Sequence, residues 1–135
     1  MSQPLNLCLL TISDSRTSDD DASGDYLAQA IAADGHALYR RGICTDDKYR
    51  IRAMVSQWIA DPEVHGIICT GGTGFTGRDS TPEALMPLLD KQMPGFGELF
   101  RQLSFSEIGT STVQSRAFAG LANACFVFCL PGSPG

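Results

Sequence analysis

Residues 67–82 read Ile-Ile-Cys-Thr-Gly-Gly-Thr-Gly-Phe-Thr-Gly-Arg-Asp-Ser-Thr-Pro. The apolar run at 66–69 predicts a buried strand. It empties into a loop with glycines at 71, 72, 74 and 77. Ser80, Thr81 and Pro82 then supply helix-start signals, with Glu83 placed to complete a capping box from Ser80. Strand, glycine loop and helix start form the arrangement that turns backbone N–H groups towards a phosphate. Asp79 sits where the phosphates would lie. A carboxylate beside a phosphate is repulsive unless a cation lies between them, which points to a phosphate ester bound together with Mg²⁺.

Outward from this stretch, strands and helices alternate. Residues 5–12 are an apolar strand ending in Ser13-Asp14-Ser15-Arg16, and a polar loop with Asp19, Asp20 and Asp21 follows. The spacing predicts a helix over 23–34, with Leu27 and Ile31 on one face and Gly35 as its stop. Residues 36–44 alternate as a strand, which Arg40-Arg41 places towards an edge. Asp46 or Asp47 caps a helix running to residue 60, with Ile51, Val55, Trp58 and Ile59 as its buried stripe. Further helices are expected over 82–89, 96–105 and 112–122, with a turn at Pro94-Gly95, and a last strand over 125–130. This order implies an α/β fold, a doubly wound, mostly parallel sheet with helices on both faces. Ser13-Asp14, Asp46-Asp47, the glycine loop and residues 131–134 all fall at the C-terminal ends of strands, the edge where open α/β sheets bind ligands.

The 135 residues suffice for one domain with its own core. A net charge of −5, with no basic cluster longer than Arg40-Arg41, argues against a nucleic-acid partner, because neutralising phosphates needs clustered Lys and Arg. The five cysteines are odd in number, scattered and without a Cys-x-x-Cys pair. Four lie in or beside apolar runs, as small reduced core residues, which together with the absence of a signal-like N-terminus points to the cytoplasm. No apolar stretch approaches the ~20 residues that cross a bilayer, so no membrane partner is expected.

Each motif has a plainer reading. Gly72 to Gly77 matches G-x-G-x-x-G, but the helix starts only after Thr81, and no acidic residue ends the next strand as a dinucleotide site requires. The same glycines space like a P-loop, yet Arg78-Asp79 stand where Lys and Ser or Thr belong. Asp79 alone reads equally as a solvated or helix-start carboxylate. Asp46 alone reads as an N-cap, and becomes a second acidic group only if a metal pairs it with Asp79. Ser111 and Ser115-Arg116 lie near a helix start, where Arg116 could grip a phosphate or simply face solvent. His36 and His65 each begin a strand with no nucleophile in view.

Taken in order, Thr-Ile-Ser-Asp-Ser (11–15), Asp-Ala-Ser-Gly (21–24), Thr-Gly-Gly-Thr-Gly (70–74), Asp-Ser-Thr-Pro-Glu (79–83), Pro-Gly-Phe-Gly-Glu (94–98), Ser115-Arg116 and Pro-Gly-Ser-Pro (131–134) resemble the MoaB/Mog family of molybdenum-cofactor biosynthesis proteins. The run over 103–116 resembles its MoaB branch. The resemblance covers essentially the whole chain and implies a three-layer sandwich assembled as a homotrimer or hexamer. It also implies the reaction of the catalytic members, in which molybdopterin and ATP give adenylyl-molybdopterin and pyrophosphate with Mg²⁺. Carried over by position, Asp79 and Asp46 would be the catalytic carboxylates, with Asp79 holding the metal. Gly71, Gly72, Thr73 and Gly74 would cradle phosphate or pterin groups. Ser13, Ser111, Ser115, Pro131, Gly132 and Ser133 would line the pterin pocket. Family members continue past Pro-Gly-Ser-Pro into another helix, so on this resemblance residues 1–135 form a single domain lacking that C-terminal helix. The MoaB branch also leaves a second role open, a non-catalytic molybdopterin-binding or scaffolding oligomer of the same pathway.

Overall fold

The computed structural model describes residues 4–14, 21–71, 80–93, 95 and 118–130. Within them the chain runs β1 (Asn6–Ile12), α1 (Ala22–Ala33), β2 (Ala37–Cys44), α2 (Lys48–Ile59), β3 (Gly66–Thr70), α3 (Thr81–Leu85), β4 (Lys91–Gln92), β5 (Phe118–Ala122) and β6 (Cys125–Leu130). The strands form one sheet in the order β2-β1-β3-β6-β5-β4. β2, β1, β3 and β6 are mutually parallel, while β5 and β4 add an antiparallel margin.

Alternation along β1 divides its side chains between two layers. Cys8, Leu10 and Ile12 share a core with Ile51, Val55 and Trp58 of α2, Ala84 and Leu85 of α3, and Ile67, Cys69, Val127 and Cys129 of the neighbouring strands. Thr11 faces the other way and donates to Asp21 at the head of α1. Helices therefore cover both faces, as the alternation of elements predicts. Of the stripe expected of α2, Ile51, Val55 and Trp58 are buried, and Ile59 is half-buried against the same core. Gly35, at φ +85°, follows α1 where the helix stop is expected.

All five cysteines are free thiols, and four are fully buried. Cys69 and Cys129 stand opposite each other across β3 and β6. Burial pushes the Cys8, Cys44 and Cys125 thiols up to about 11, and Cys129 rises well above its ordinary value through burial and its contact with Cys69.

The structure corrects the helix expected over 112–122. Phe118–Ala122 is β5, paired antiparallel with β6, and residues 112–117 lie outside the described residues. Asn123 and Ala124 both take left-handed φ, 50° and 61°. Two consecutive residues of that kind make the tight turn whose twist suits a hairpin. The alanine content favours helix, but Phe118, Ala119 and Ala122 gain burial on the sheet, and tertiary packing overrides propensity. The helix expected over 82–89 divides into α3 and a single 3-10 turn at Met86–Leu88, since Pro87 has no N–H to continue an α-helical ladder. β4 has no counterpart in the sequence reading. The helix expected over 96–105 and the turn at Pro94 lie outside the described residues.

Candidate functional site

Register sets where the loops emerge. Ile12 pairs with Cys44, Thr11 with Thr70, and Thr70 with Leu130, so the four parallel strands end along one line. After β1 the chain passes to β2 on one side, and after β2 it crosses back to β3 on the other. The β1/β3 boundary is therefore the switch point, where neighbouring loops diverge and leave a crevice. Ser13 and Gly71 emerge there.

These loop bases are tied together by an unbroken series of hydrogen bonds. The Ser13 N–H donates to the Cys44 carbonyl at 2.9 Å, continuing the β1–β2 ladder. Asp14 Oδ1 accepts the Asp46 N–H at 3.0 Å. Asp46 Oδ1 accepts the Ser80 N–H at 2.8 Å. The buried Thr81 hydroxyl donates to the Gly71 carbonyl at 2.9 Å. The Gly71 N–H completes the run on the Leu130 carbonyl, also at 2.9 Å. Residues 71 and 80–81, which bracket the glycine loop, are thereby fixed to one another and to the ends of β2 and β6.

Neighbouring aspartates divide two tasks. Asp47 is the N-cap of α2, accepting from the Tyr49 and Arg50 N–H groups. Asp46, itself only 8 % exposed, is thus released from capping, and its carboxylate turns to Ser80. This corrects the expected capping box at α3. Ser80 makes no side-chain cap hydrogen bond, and its own N–H is taken by Asp46 rather than by Glu83, the partner the box requires. Gly71 has φ +107°, and a Cβ there would run into the Ile12 carbonyl. That position accepts glycine alone without strain.

Of the residues singled out by sequence, the structure joins Ser13, Asp46 and Gly71 in this edge. Gly72, Thr73, Gly74, Asp79, Ser111, Ser115, Pro131, Gly132 and Ser133 lie outside the described residues. Among the described residues no three His, Cys, Asp or Glu side chains cluster to hold a metal. Mg²⁺ bound with a phosphate substrate needs only one or two protein carboxylates, the phosphate oxygens and water supplying the rest. The Asp46 carboxylate beside Ser80 fits that limited demand, with Asp79 adjoining in sequence.

The family described as "Probable molybdopterin binding domain" matches residues 8–135. The chain belongs to the MoaB/Mog family. It is 50 % identical over 130 residues to "Molybdenum cofactor biosynthesis protein B" of Escherichia coli K12, spanning 96 % of this chain and 76 % of that protein. A protein of the same name from Bacillus subtilis is 39 % identical, over 94 % of this chain and 75 % of its own length. Among solved structures, a molybdenum cofactor biosynthesis protein B superposes with a TM-score of 0.93 at 41 % identity, covering 97 % of this chain and 82 % of that one. The tungsten cofactor synthesizing protein MoaB from Pyrococcus furiosus gives 0.86 at 32 % identity, covering 98 % and 85 %.

The MoaB/Mog motif Asp21-Ala-Ser-Gly24 acquires a physical reason in this structure. Asp21 is fully buried and caps α1 through the Gly24 N–H at 3.0 Å. Its other oxygen accepts from the Thr11 hydroxyl at 2.7 Å and from Arg41 at 3.2 Å. Arg41 also reaches Asp25 at 2.7 Å. Burial alone would raise the Asp21 pKa, but the Thr11, Gly24 and Arg41 donors outweigh it and hold the carboxyl below its ordinary value. A Cβ on residue 24 would collide with the Asp21 carboxylate. Sequence reasoning took Asp21 for one carboxylate of a solvated loop. The helix-start pattern three residues ahead of Gly24 was the signal that could have shown its role.

Proposed function

We propose that this chain works in molybdenum-cofactor biosynthesis and transfers the adenylyl group of ATP to the terminal phosphate of molybdopterin. A phosphate oxygen of molybdopterin attacks the α-phosphorus of ATP. The new P–O bond forms as the bond from that phosphorus to the α,β-bridging oxygen breaks, and pyrophosphate leaves with the electron pair. No side chain needs to become covalently attached, so the protein's share is positioning and electrostatics. Bound with ATP, Mg²⁺ would neutralise charge on the phosphates. Asp79 would hold it, with Asp46 as the second carboxylate. Gly71, Gly72, Thr73 and Gly74 would turn N–H groups to phosphate or pterin, and Ser13, Ser111, Ser115, Pro131, Gly132 and Ser133 would line the pterin pocket. The reading includes a homotrimer or hexamer as the working assembly.

The observation that supports this reading is the fastening of both ends of the glycine loop at the switch point, with an aspartate carboxylate on the N–H next to Asp79. Anchor residues fixed before a ligand arrives lower the ordering cost of binding at this edge. One observation favours the non-catalytic role instead. Asp46 commits an oxygen to the Ser80 N–H, a structural task that would account for its presence without any chemistry.

The test combines molybdopterin, ATP and Mg²⁺ with the protein and follows adenylyl-molybdopterin by mass. Product that disappears in Asp79→Asn establishes the transferase and its metal carboxylate. Bound molybdopterin with no product establishes the scaffolding role.

A further inference from the structure

We propose that Asp14 is a positioning residue of this site, fixing the Asp46 carboxylate that anchors the glycine loop. The proposal rests on the functional reading above only for its kinetic consequence. Asp14 leaves the end of β1, the strand at the switch point, and its Oδ1 accepts the backbone N–H of Asp46 at 3.0 Å across the β1–β2 boundary. Asp46 in turn accepts the Ser80 N–H at 2.8 Å. Two successive carboxylates, each accepting the N–H of the following segment, thus carry position from β1 through the β2 loop to the residue that adjoins Asp79.

The β2 loop needs such a hold. Within it, the Asp47 N–H donates to the Thr45 carbonyl at 2.8 Å. Asp47 accepts from the Tyr49 and Arg50 N–H groups and so fixes the far side of the turn to the head of α2. The amide of residue 46 sets the direction from which its side chain departs, and Asp14 holds that amide. The interaction needs one acceptor oxygen at that place, and the carbonyl oxygen of an asparagine amide accepts an N–H as a carboxylate oxygen does. What Asp14 supplies on this reading is an acceptor oxygen in a fixed place. Its charge towards substrate or metal plays no part, and the two roles predict opposite behaviour for asparagine.

The experiment compares the full chain with Asp14→Ala, Asp14→Asn, Asp46→Ala and the Asp14→Ala/Asp46→Ala double variant. Amide hydrogen exchange at residues 46 and 80 is read by NMR, and kcat and KM for adenylyl transfer are read separately. Asp14→Ala is expected to speed exchange at Asp46 and Ser80 about tenfold, leaving the amides of central β3 unchanged. Asp14→Asn is expected to restore protection, because its amide oxygen accepts the same bond. The kcat should follow the same order with KM for ATP held, and the double variant should be no worse than Asp46→Ala. Unchanged Ser80 exchange in Asp14→Ala overturns the proposal. So does an Asp14→Asn variant as exposed as the alanine, which would assign Asp14 a charge-based role. If the wild-type chain forms no product, the transferase reading fails alone, and the exchange pattern still upholds or overturns the role of Asp14.

Discussion

At the start of β1 the Leu5 and Asn6 N–H groups are accepted by imidazoles, His36 Nδ1 at 3.0 Å and His65 Nδ1 at 2.9 Å. At its end the corresponding work is done by carboxylates, Asp14 towards the β2 loop and Asp46 towards α3. Both edges satisfy backbone donors that the sheet leaves over, as buried or half-buried ladders require. They differ in reach. Each histidine opens a strand beside β1 and returns a bond to β1 itself, with the His65 N–H also donating to the Asn6 carbonyl, so the edge closes on three adjacent strands. The carboxylates pass from loop to loop and gather segments distant in sequence. One edge finishes a sheet, and the other ties loop bases together at the edge where open α/β folds bind ligands.

The sharpest challenge to that contrast is Asp21, beneath the site edge. Asp21→Ala removes a helix cap and strands the Thr11 hydroxyl, which should cost about 3 kcal/mol in urea unfolding. Because its folded pKa lies below the unfolded value of about 4, the contribution of Asp21 is complete above that pH and is lost as pH falls through the folded value. Wild-type and Asp21→Asn midpoints should accordingly converge on acidification; parallel curves would remove the charged role of this group. Gly71→Ala should cost about 2 kcal/mol through left-handed strain against the Ile12 carbonyl, and molybdopterin binding should weaken with it. Asp46→Ala should lose about 1.5 kcal/mol of stability while adenylyl transfer drops at least about tenfold, an imbalance marking the site edge. The smallest effect belongs to the opposite edge. His65→Ala should cost about 0.5 kcal/mol or somewhat more and leave molybdopterin binding and transfer unchanged. An activity loss there would break the contrast between the edges.

The parallel part of the fold was readable because strand and helix periodicities were clean, and each of β1, β2, β3 and β6 ended in polar or glycine-rich sequence. Convergence of Ser13, Asp46 and Gly71 followed from that pattern alone. The β5–β6 hairpin was concealed because Ala124 takes a conformation usually marked by glycine. Local signals also misassigned Ser80 and Glu83 as a capping pair, since the acceptor that wins comes from residue 46, 34 positions away. Asp14 and Asp21 looked alike as loop carboxylates. Only tertiary structure separates the one that bridges two loop bases from the one buried under α1.

The five thiols give the sheet an internal gauge of its own opening. A protonated, buried sulfur is a poor nucleophile; Cys8 and Cys125, pushed up to about 11, and Cys129, raised well above its ordinary value, stay protonated at neutral pH. Half-buried Cys44 should react first with an alkylating reagent, from the β2 margin. Cys69 and Cys129, paired across the sheet's centre, should be labelled only when β3 and β6 part. The order of modification by mass would then chart, strand by strand and without any introduced probe, how this sheet comes apart.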